Sequence, residues 1–220
     1  MKFDHHIHTS RHSPDSSLPP LDLIESAREL GLDGVVITEH DYQWQPDELA
    51  ELASRAGDLR VFSGAEISAR EGHFLVYGLP SLDEVPPGVT VGELLRVVRA
   101  RGAAIVAAHP FRWDQPFDEI VAEHGPAFDG LELVSKNVSR ETRARTEQLL
   151  LDHPEMGATG SSDAHEAHTL GCYFTQFDRP IDTIEDFVAA LTARAGRPRH
   201  RDRAVLASGP VSWEPATRRS

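Results

Sequence analysis

Close to its first residue the chain carries Asp4-His5-His6-Ile7-His8, which sets two imidazoles in alternation. With Phe3 and Ile7 around them these residues read as a short strand. Side chains on a strand alternate between faces, so His6 and His8 share one face, roughly 6.5–7 Å apart along it. Two imidazoles on one face can share a metal ion through bonds of about 2.0–2.1 Å. His5 faces the other way and is expected to be dispensable for chemistry. The pattern alone is weak, because 12 His in 220 residues give roughly half an H-x-H by chance.

Further donors follow at regular places. Asp15 lies in the Ser-rich loop Thr9 to Leu18, His40 follows the apolar run Val35-Val36-Ile37, and Glu66 lies in Val61 to Ile67. His73 opens the next apolar run, His109 ends Ala104 to Ala108, and Asp163 and His165 follow Gly160-Ser161-Ser162. Nine nitrogen and oxygen donors, His6, His8, Asp15, His40, Glu66, His73, His109, Asp163 and His165, exceed the three protein ligands of a typical catalytic zinc. They suit two or three divalent ions with a bridging carboxylate. Mixed His and carboxylate sets accept Mn, Fe or Zn. A lone His at a strand end is ordinarily a hydrogen-bonded surface residue, but donors at six separate strand ends are not explained that way.

The elements that must position these donors alternate. Pro19-Pro20 opens a helix closed by Gly31, the usual proline–glycine asymmetry. Thr90-Val91-Gly92-Glu93 is a capping box that starts a helix ending at Gly102. Helices are also expected near Pro46 to Ala56, Asp118 to Glu123, Ser139 to Leu151 and Thr183 to Ala195. Strands lie between them, including Gly130 to Val134 with Glu132 inside it and a last one at Cys172 to Gln176. Six or seven strands alternating with helices indicate parallel β/α units in one domain. The donors fall at the carboxyl ends of strands, where β/α barrels carry function. No glycine-rich phosphate loop follows any strand. Residues 1–195 form the barrel on this reading, and 196–220, with five Arg between Arg194 and Arg203 followed by Pro, Ser and Gly, an irregular C-terminal tail.

Composition narrows the classes. The formal charge of −13, from 35 acidic and 22 basic residues, argues against an extended nucleic-acid surface. No apolar run of membrane-spanning length and no secretory signal occur, so neither a transmembrane helix nor export is expected. The single Cys172 excludes an internal disulfide framework and fits a cytoplasmic location, as a small buried apolar residue.

Taken as an ordered set, Asp4-x-His6-x-His8, Thr38-Glu39-His40-Asp41, Gly64-Ala65-Glu66, His109-Pro110 and Gly160-Ser161-Ser162-Asp163-Ala164-His165 resembles the PHP family (polymerase and histidinol phosphatase domain) over residues 2 to about 176. The resemblance implies a single-domain α/β fold, a distorted (β/α)7 TIM-like barrel, with a trinuclear metal centre and phosphoesterase activity. It places one ion among His6, His8, Glu66 and Asp163. Glu66 then bridges to a second ion shared with His109 and His73, and a third lies among Asp15, His40 and His165. His12 rivals Asp15 as the loop ligand. Glu39 stands where Asp is commoner and is expected behind the ligands.

On this reading a small phosphate ester or nucleotide is hydrolysed by hydroxide bridging two ions, with His6, His8, Glu66, His109 and Asp163 as the catalytic ligands. Arg11, Arg112 and Lys136, one of only two Lys, are candidate phosphate contacts. Competing readings are an amidohydrolase or TatD-like hydrolase, which also begin with H-x-H, and a non-catalytic metal-binding module. The paired Asp163 and His165 and the Glu39-His40-Asp41 run argue against the former, and the complete donor set against the latter. Substrate identity, metal identity and oligomeric state are not legible.

Overall fold

The computed structural model of the protein describes residues 1–201. Nine strands, β1 (Lys2–Asp4), β2 (Gly34–Ile37), β3 (Arg60–Ala69), β4 (Gly72–Tyr77), β5 (Ala104–Ala107), β6 (Gly130–Val134), β7 (Gly157–Gly160), β8 (Tyr173–Phe177) and β9 (Gly196–His200), form one sheet. Six α-helices join them: α1 (Pro20–Glu29), α2 (Pro46–Ala53), α3 (Val91–Arg101), α4 (Phe117–His124), α5 (Arg140–Asp152) and α6 (Ile184–Thr192). Proline at the first helical positions of α1 and α2 supplies a helical φ where no backbone donor is needed. Helix α3 begins with the Thr90–Glu93 capping box and stops at Gly102, whose φ of 65° suits a residue without Cβ. None of the described helices is long and apolar enough to cross a membrane.

The strand order is β7-β6-β5-β4-β3-β2-β1-β8-β9. Strands β1, β2 and β3 are mutually parallel, as are β5, β6 and β7. Strand β4 runs against both β3 and β5. Beyond the strand ends the chain nearly closes into a barrel: Ile7 bridges Ala164, with His8 N donating to Ala164 O at 2.9 Å. The other end is filled by β8, antiparallel to β1, and by β9 beyond it. The Thr175 hydroxyl ties β8 to β7 through both backbone groups of Gly160. This is a distorted, seven-stranded TIM-like α/β barrel with an added edge.

Three sequence expectations change. The β/α alternation fails at β4, which follows β3 through the tight turn at Arg70 and Glu71 instead of a helix. Residues Gly196–His200, expected in an irregular tail, form β9. Its sequence, Gly-Arg-Pro-Arg-His, has little β propensity, but an edge strand tolerates proline because one side of its ladder is unpaired. The rest of the expected tail, 202–220, lies outside the described residues. Cys172 is half-buried against the core instead of fully enclosed.

Three apolar clusters support the barrel. One stacks Phe74, Phe117 and Phe128 with α3 and α4, and a second joins α1 and α2 to Ile7, Val35 and Ile37. The third gathers Phe3, Val36, Leu75, Tyr77, Phe177 and Phe187. Enclosing each large side chain contributes about 1.5–3 kcal/mol, which offsets the cost of the charged groups buried at the barrel mouth. His5 belongs to this support: fully buried, it contacts the Tyr77 hydroxyl at 2.7 Å and Thr175 Oγ1 at 3.0 Å.

Candidate metal centre

The donors converge because they sit at or just beyond strand ends that the ring brings together. His6 and His8 follow β1, His40 follows β2, Glu66 and His73 lie on the β3–β4 hairpin, His109 follows β5, and Asp163 and His165 follow β7. Only Lys2–Asp4 of the first stretch is regular strand, yet the alternation persists through the Ile7 bridge and sets the His6 and His8 rings 5.1 Å apart.

Glu66, 1% exposed, is the hub. Its Oε2 lies 3.4 Å from His6 Nε2, 3.2 Å from His8 Nε2 and 3.0 Å from His40 Nδ1. Its Oε1 lies 3.0 Å from His73 Nδ1 and 3.2 Å from His109 Nε2. Asp163 Oδ1 lies 3.4 Å from the Nε2 atoms of both His6 and His8, and 3.6 Å from His165 Nδ1. Asp15 Oδ2 joins His40 Nε2 at 3.2 Å to His165 Nε2 at 3.1 Å. Ligand atoms within 4.8 Å of one another form four trios: His6, His8 and Glu66; Glu66, His73 and His109; His8, His40 and His165; and His6, His109 and Asp163.

This donor set fits metal ions. The Nε2 atoms of His6 and His8 are fully buried and have no hydrogen-bond partner, an arrangement that is costly for a polar atom unless a Lewis acid faces it. Two ligands with bonds of about 2.0–2.2 Å on one tetrahedral ion lie about 3.3–3.6 Å apart, close to the separations around Glu66 and Asp163. The electrostatics point the same way. Burial would discharge His6, but Asp163, Glu66 and Glu132 outweigh it and raise its pKa well above the usual imidazole range. Burial likewise opposes charge on His40, yet Glu66 and Asp15 push it up to about 9. Burial would raise Glu66 and Asp163, but the surrounding imidazoles, His6 foremost, hold both below the usual carboxylate range. The carboxylates thus draw positive charge into the cluster.

A layer of hydrogen bonds orients these side chains. Glu132, fully buried, accepts from His6 Nδ1 at 3.1 Å, from His109 N at 2.8 Å and from the Ser161 hydroxyl at 2.5 Å. Glu39 accepts from Thr9 N, the Thr9 hydroxyl, Trp44 Nε1 and the Ser13 hydroxyl, and Ser13 Oγ lies 3.3 Å from His8 Nδ1. Glu39 therefore stands behind the ligands, as its sequence position suggests. Asp4 accepts from Ser162 N and Gly171 N, bracing the turn that carries Asp163. Asn137 donates to Asp163 Oδ2. His109 and Asp163 are held at φ 29° and 54°, a left-handed conformation that costs non-glycine residues energy and clusters at functional sites. Sequence reasoning assigned no role to Glu132, Asp4 or Asn137. The available signal for Glu132 was a lone carboxylate inside an apolar strand.

The cluster opens into a cavity of about 470 Å³ whose wall includes Arg112, Trp113, Lys136 and Asn137. Arg112 Nη1 is 3.8 Å from Asp163 and Lys136 Nζ is 3.3 Å from His165 Nδ1. Arg11 is not there. Its guanidinium pairs with Glu48 at 2.7 Å on the protein surface, two residues after Thr9, whose hydroxyl is held by buried Glu39. His12 also lies apart, stacked on Tyr42 and 3.4 Å from Glu48, whereas Asp15 reaches the cluster. A larger cleft of about 620 Å³ near Gln43 and Pro80 is lined by none of the nine candidate donors and by no His, so chemistry rather than size selects the site.

Comparisons with known proteins bear on the fold. Residues 145–195 match the family model described as PHP-associated. An uncharacterized protein of Methanocaldococcus jannaschii is 29% identical over 120 residues, covering 50% of this chain and 68% of that protein. Among solved structures, a two-domain Bacteroides vulgatus protein, described as containing a PHP-like metal-dependent phosphoesterase by prediction, superposes with a TM-score of 0.69. It is 22% identical, over 91% of this chain and 64% of its own. The lesion-specific endonuclease EndoQ of Pyrococcus furiosus gives a TM-score of 0.64 at 20% identity, over 87% of this chain and 56% of its own. The chain thus spans less than two thirds of each of these two structures, and the likeness is one of fold.

Proposed function

We propose that this chain belongs to the PHP (polymerase and histidinol phosphatase) domain family, supported by the family-model match over residues 145–195, and is a metal-dependent phosphoesterase that hydrolyses a small phosphate ester or nucleotide. One observation carries the reading: Glu66 faces His6, His8 and His40 with one oxygen and His73 and His109 with the other. A carboxylate so placed suits a bridge between two ions. In this proposal His6, His8, Glu66 and Asp163 hold one ion, Glu66, His73 and His109 a second, and Asp15, His40 and His165 a third where three bind. Mn, Fe and Zn all suit these donors.

Divalent ions in such a site supply Lewis acidity and hydroxide at neutral pH. The protein's own part is positional. Glu132 fixes His6 with its proton on Nδ1, so that Nε2 faces the cluster. Asn137 and the strained turn hold Asp163 against it. Arg112 and Lys136 lie where they can bind phosphoryl oxygens and offset the charge that spreads over them in an in-line displacement. The acidic chain favours a single phosphate or a strand end over an extended duplex, and its one Cys supports a cytoplasmic location.

A phosphate-release screen over monoesters, diesters and nucleotides tests the proposal, using protein loaded in turn with Mn, Fe and Zn. Release from at least one class, abolished by a chelator and restored by metal, is expected. Amide cleavage with no phosphoester turnover would instead favour an amidohydrolase, and metal-replete protein inert on every substrate a binding module.

A further inference from the structure

The exposed large hydrophobic side chains among the described residues are Leu21, Leu151 and Trp113, and of these Trp113 lies on the metal cavity. It is 68% exposed. The indole lies nearly perpendicular to the rings of two candidate ligands, at 71° to His73 and 72° to His109, its centroid 5.5 Å and 5.7 Å from theirs. The Arg112 guanidinium covers one face at 3.9 Å. Even with the guanidinium over one face, about two thirds of the residue meets solvent.

This placement is built. Phe111, Trp113 and Asp114 all have left-handed backbone, at φ 65°, 54° and 56°, which is a genuine outlier for a bulky residue. The segment is anchored on both sides. Phe111 is buried beneath the Arg145 guanidinium, 4.0 Å from its ring, and the Gln115 side chain donates to Glu71 O at 2.7 Å. Gly72 makes room for that anchor, since a Cβ there would lie 1.6 Å from Gln115 Nε2. The chain therefore holds a flat aromatic ring in water, beside a cation and within reach of the Glu66–His73–His109 trio.

We propose that Trp113 is a stacking platform for a planar aromatic ring of the substrate, carried close to the phosphate as in a mononucleotide or an aryl phosphate. Arg112, between the indole and Asp163, then contacts the phosphate while the other indole face takes the ring. Indole stacking accepts any base, because each presents a π-face. The inference rests on the phosphoesterase reading and narrows its substrate class.

The test compares adenosine monophosphate, phenyl phosphate and glycerol phosphate on wild type, Trp113→Ala and Trp113→Phe, each with metal content checked. Trp113→Ala should raise KM for the two aromatic substrates roughly tenfold, leave glycerol phosphate unchanged, and be rescued by Trp113→Phe. A rise for adenosine monophosphate alone identifies a nucleotide platform, and a rise for both a general aryl platform. Separately, adenosine monophosphate should quench wild-type tryptophan fluorescence more than glycerol phosphate does, and this difference should vanish in Trp113→Phe. An equal KM change on all three substrates, no change on the aromatic ones, or quenching that persists in Trp113→Phe overturns the proposal. Where the wild type turns over none of the three, the broader phosphate-release screen decides the phosphoesterase reading, and the quenching decides the stacking on its own.

Discussion

Replacing Glu132 by Gln should weaken metal binding although Glu132 belongs to none of the candidate ligand trios. The carboxylate accepts three hydrogen bonds, with His6 Nδ1 and the Ser161 hydroxyl on Oε1 and His109 N on Oε2. An ionised carboxylate only accepts, so His6 keeps a proton on Nδ1 and turns Nε2, buried and without a hydrogen-bond partner, toward the cluster, where a metal ion would take the place of any second proton. Glutamine turns one oxygen into an NH2 group. If that group faces His109, two donors meet and the backbone N–H cannot change its role. If it faces His6, Nδ1 must accept, and the proton moves to Nε2, the nitrogen that should bind metal. Either choice forfeits a hydrogen bond to a charged group, about 1.5–3 kcal/mol, consistent with about 10–100-fold lost metal affinity for partners of this kind. Competition of metal-free protein with a chromophoric chelator measures the loss, and circular dichroism of the metal-free variant checks the fold. A folded Glu132→Gln protein with wild-type affinity would refute the reasoning.

Other consequences are independent of that one. Lys136→Ala should raise KM for a phosphate ester roughly ten- to a hundredfold, the worth of one charge-assisted contact, with the metals retained; steady-state kinetics and elemental analysis check it together. Gly64→Ala should lower the melting temperature, because a Cβ there would lie 2.6 Å from Val76 O and 2.8 Å from the Tyr77 ring, an overpacking worth about 1–3 kcal/mol. Burial, with Asp4 nearby, pushes the Cys172 thiol up to about 12, so at pH 8 only about one in ten thousand is thiolate. A thiol reagent should react slowly with native protein and fast in urea. The same shift gives an alkaline sign. Above about pH 9 the unfolded thiol loses its proton while the folded one keeps it, so this contribution to stability falls as pH rises.

The donor set was legible because His, Asp and Glu directly after apolar β runs are unusual, and alternation alone placed His6 with His8 and against His5. The α3 capping box was legible because both its partners lie within one helical turn. What stayed hidden depends on partners distant in sequence. Nothing local distinguishes His73 to Tyr77 as a reversed strand, since alternation is the same in either direction; only the short turn at Arg70 and Glu71 hints at a hairpin. Strand β9 exists because β8 offers a free edge, a tertiary cause that Arg197, Pro198 and Arg199 do not announce. Arg11 follows the His6–His8 stretch yet faces Glu48, a partner 37 positions away that its local sequence does not announce. Glu132 carries an orienting role only through His6, more than a hundred positions away in sequence.

The central claim is that the side chains around Glu66 hold divalent ions. Elemental analysis of the purified chain, beside His8→Ala prepared identically, tests it most directly. The wild type should carry two or three Mn, Fe or Zn ions per chain, and His8→Ala should lose metal and phosphoesterase activity together. Wild-type protein that retains less than one ion per chain after exposure to these metals, or a His8→Ala variant with full metal content and full activity, would contradict the account.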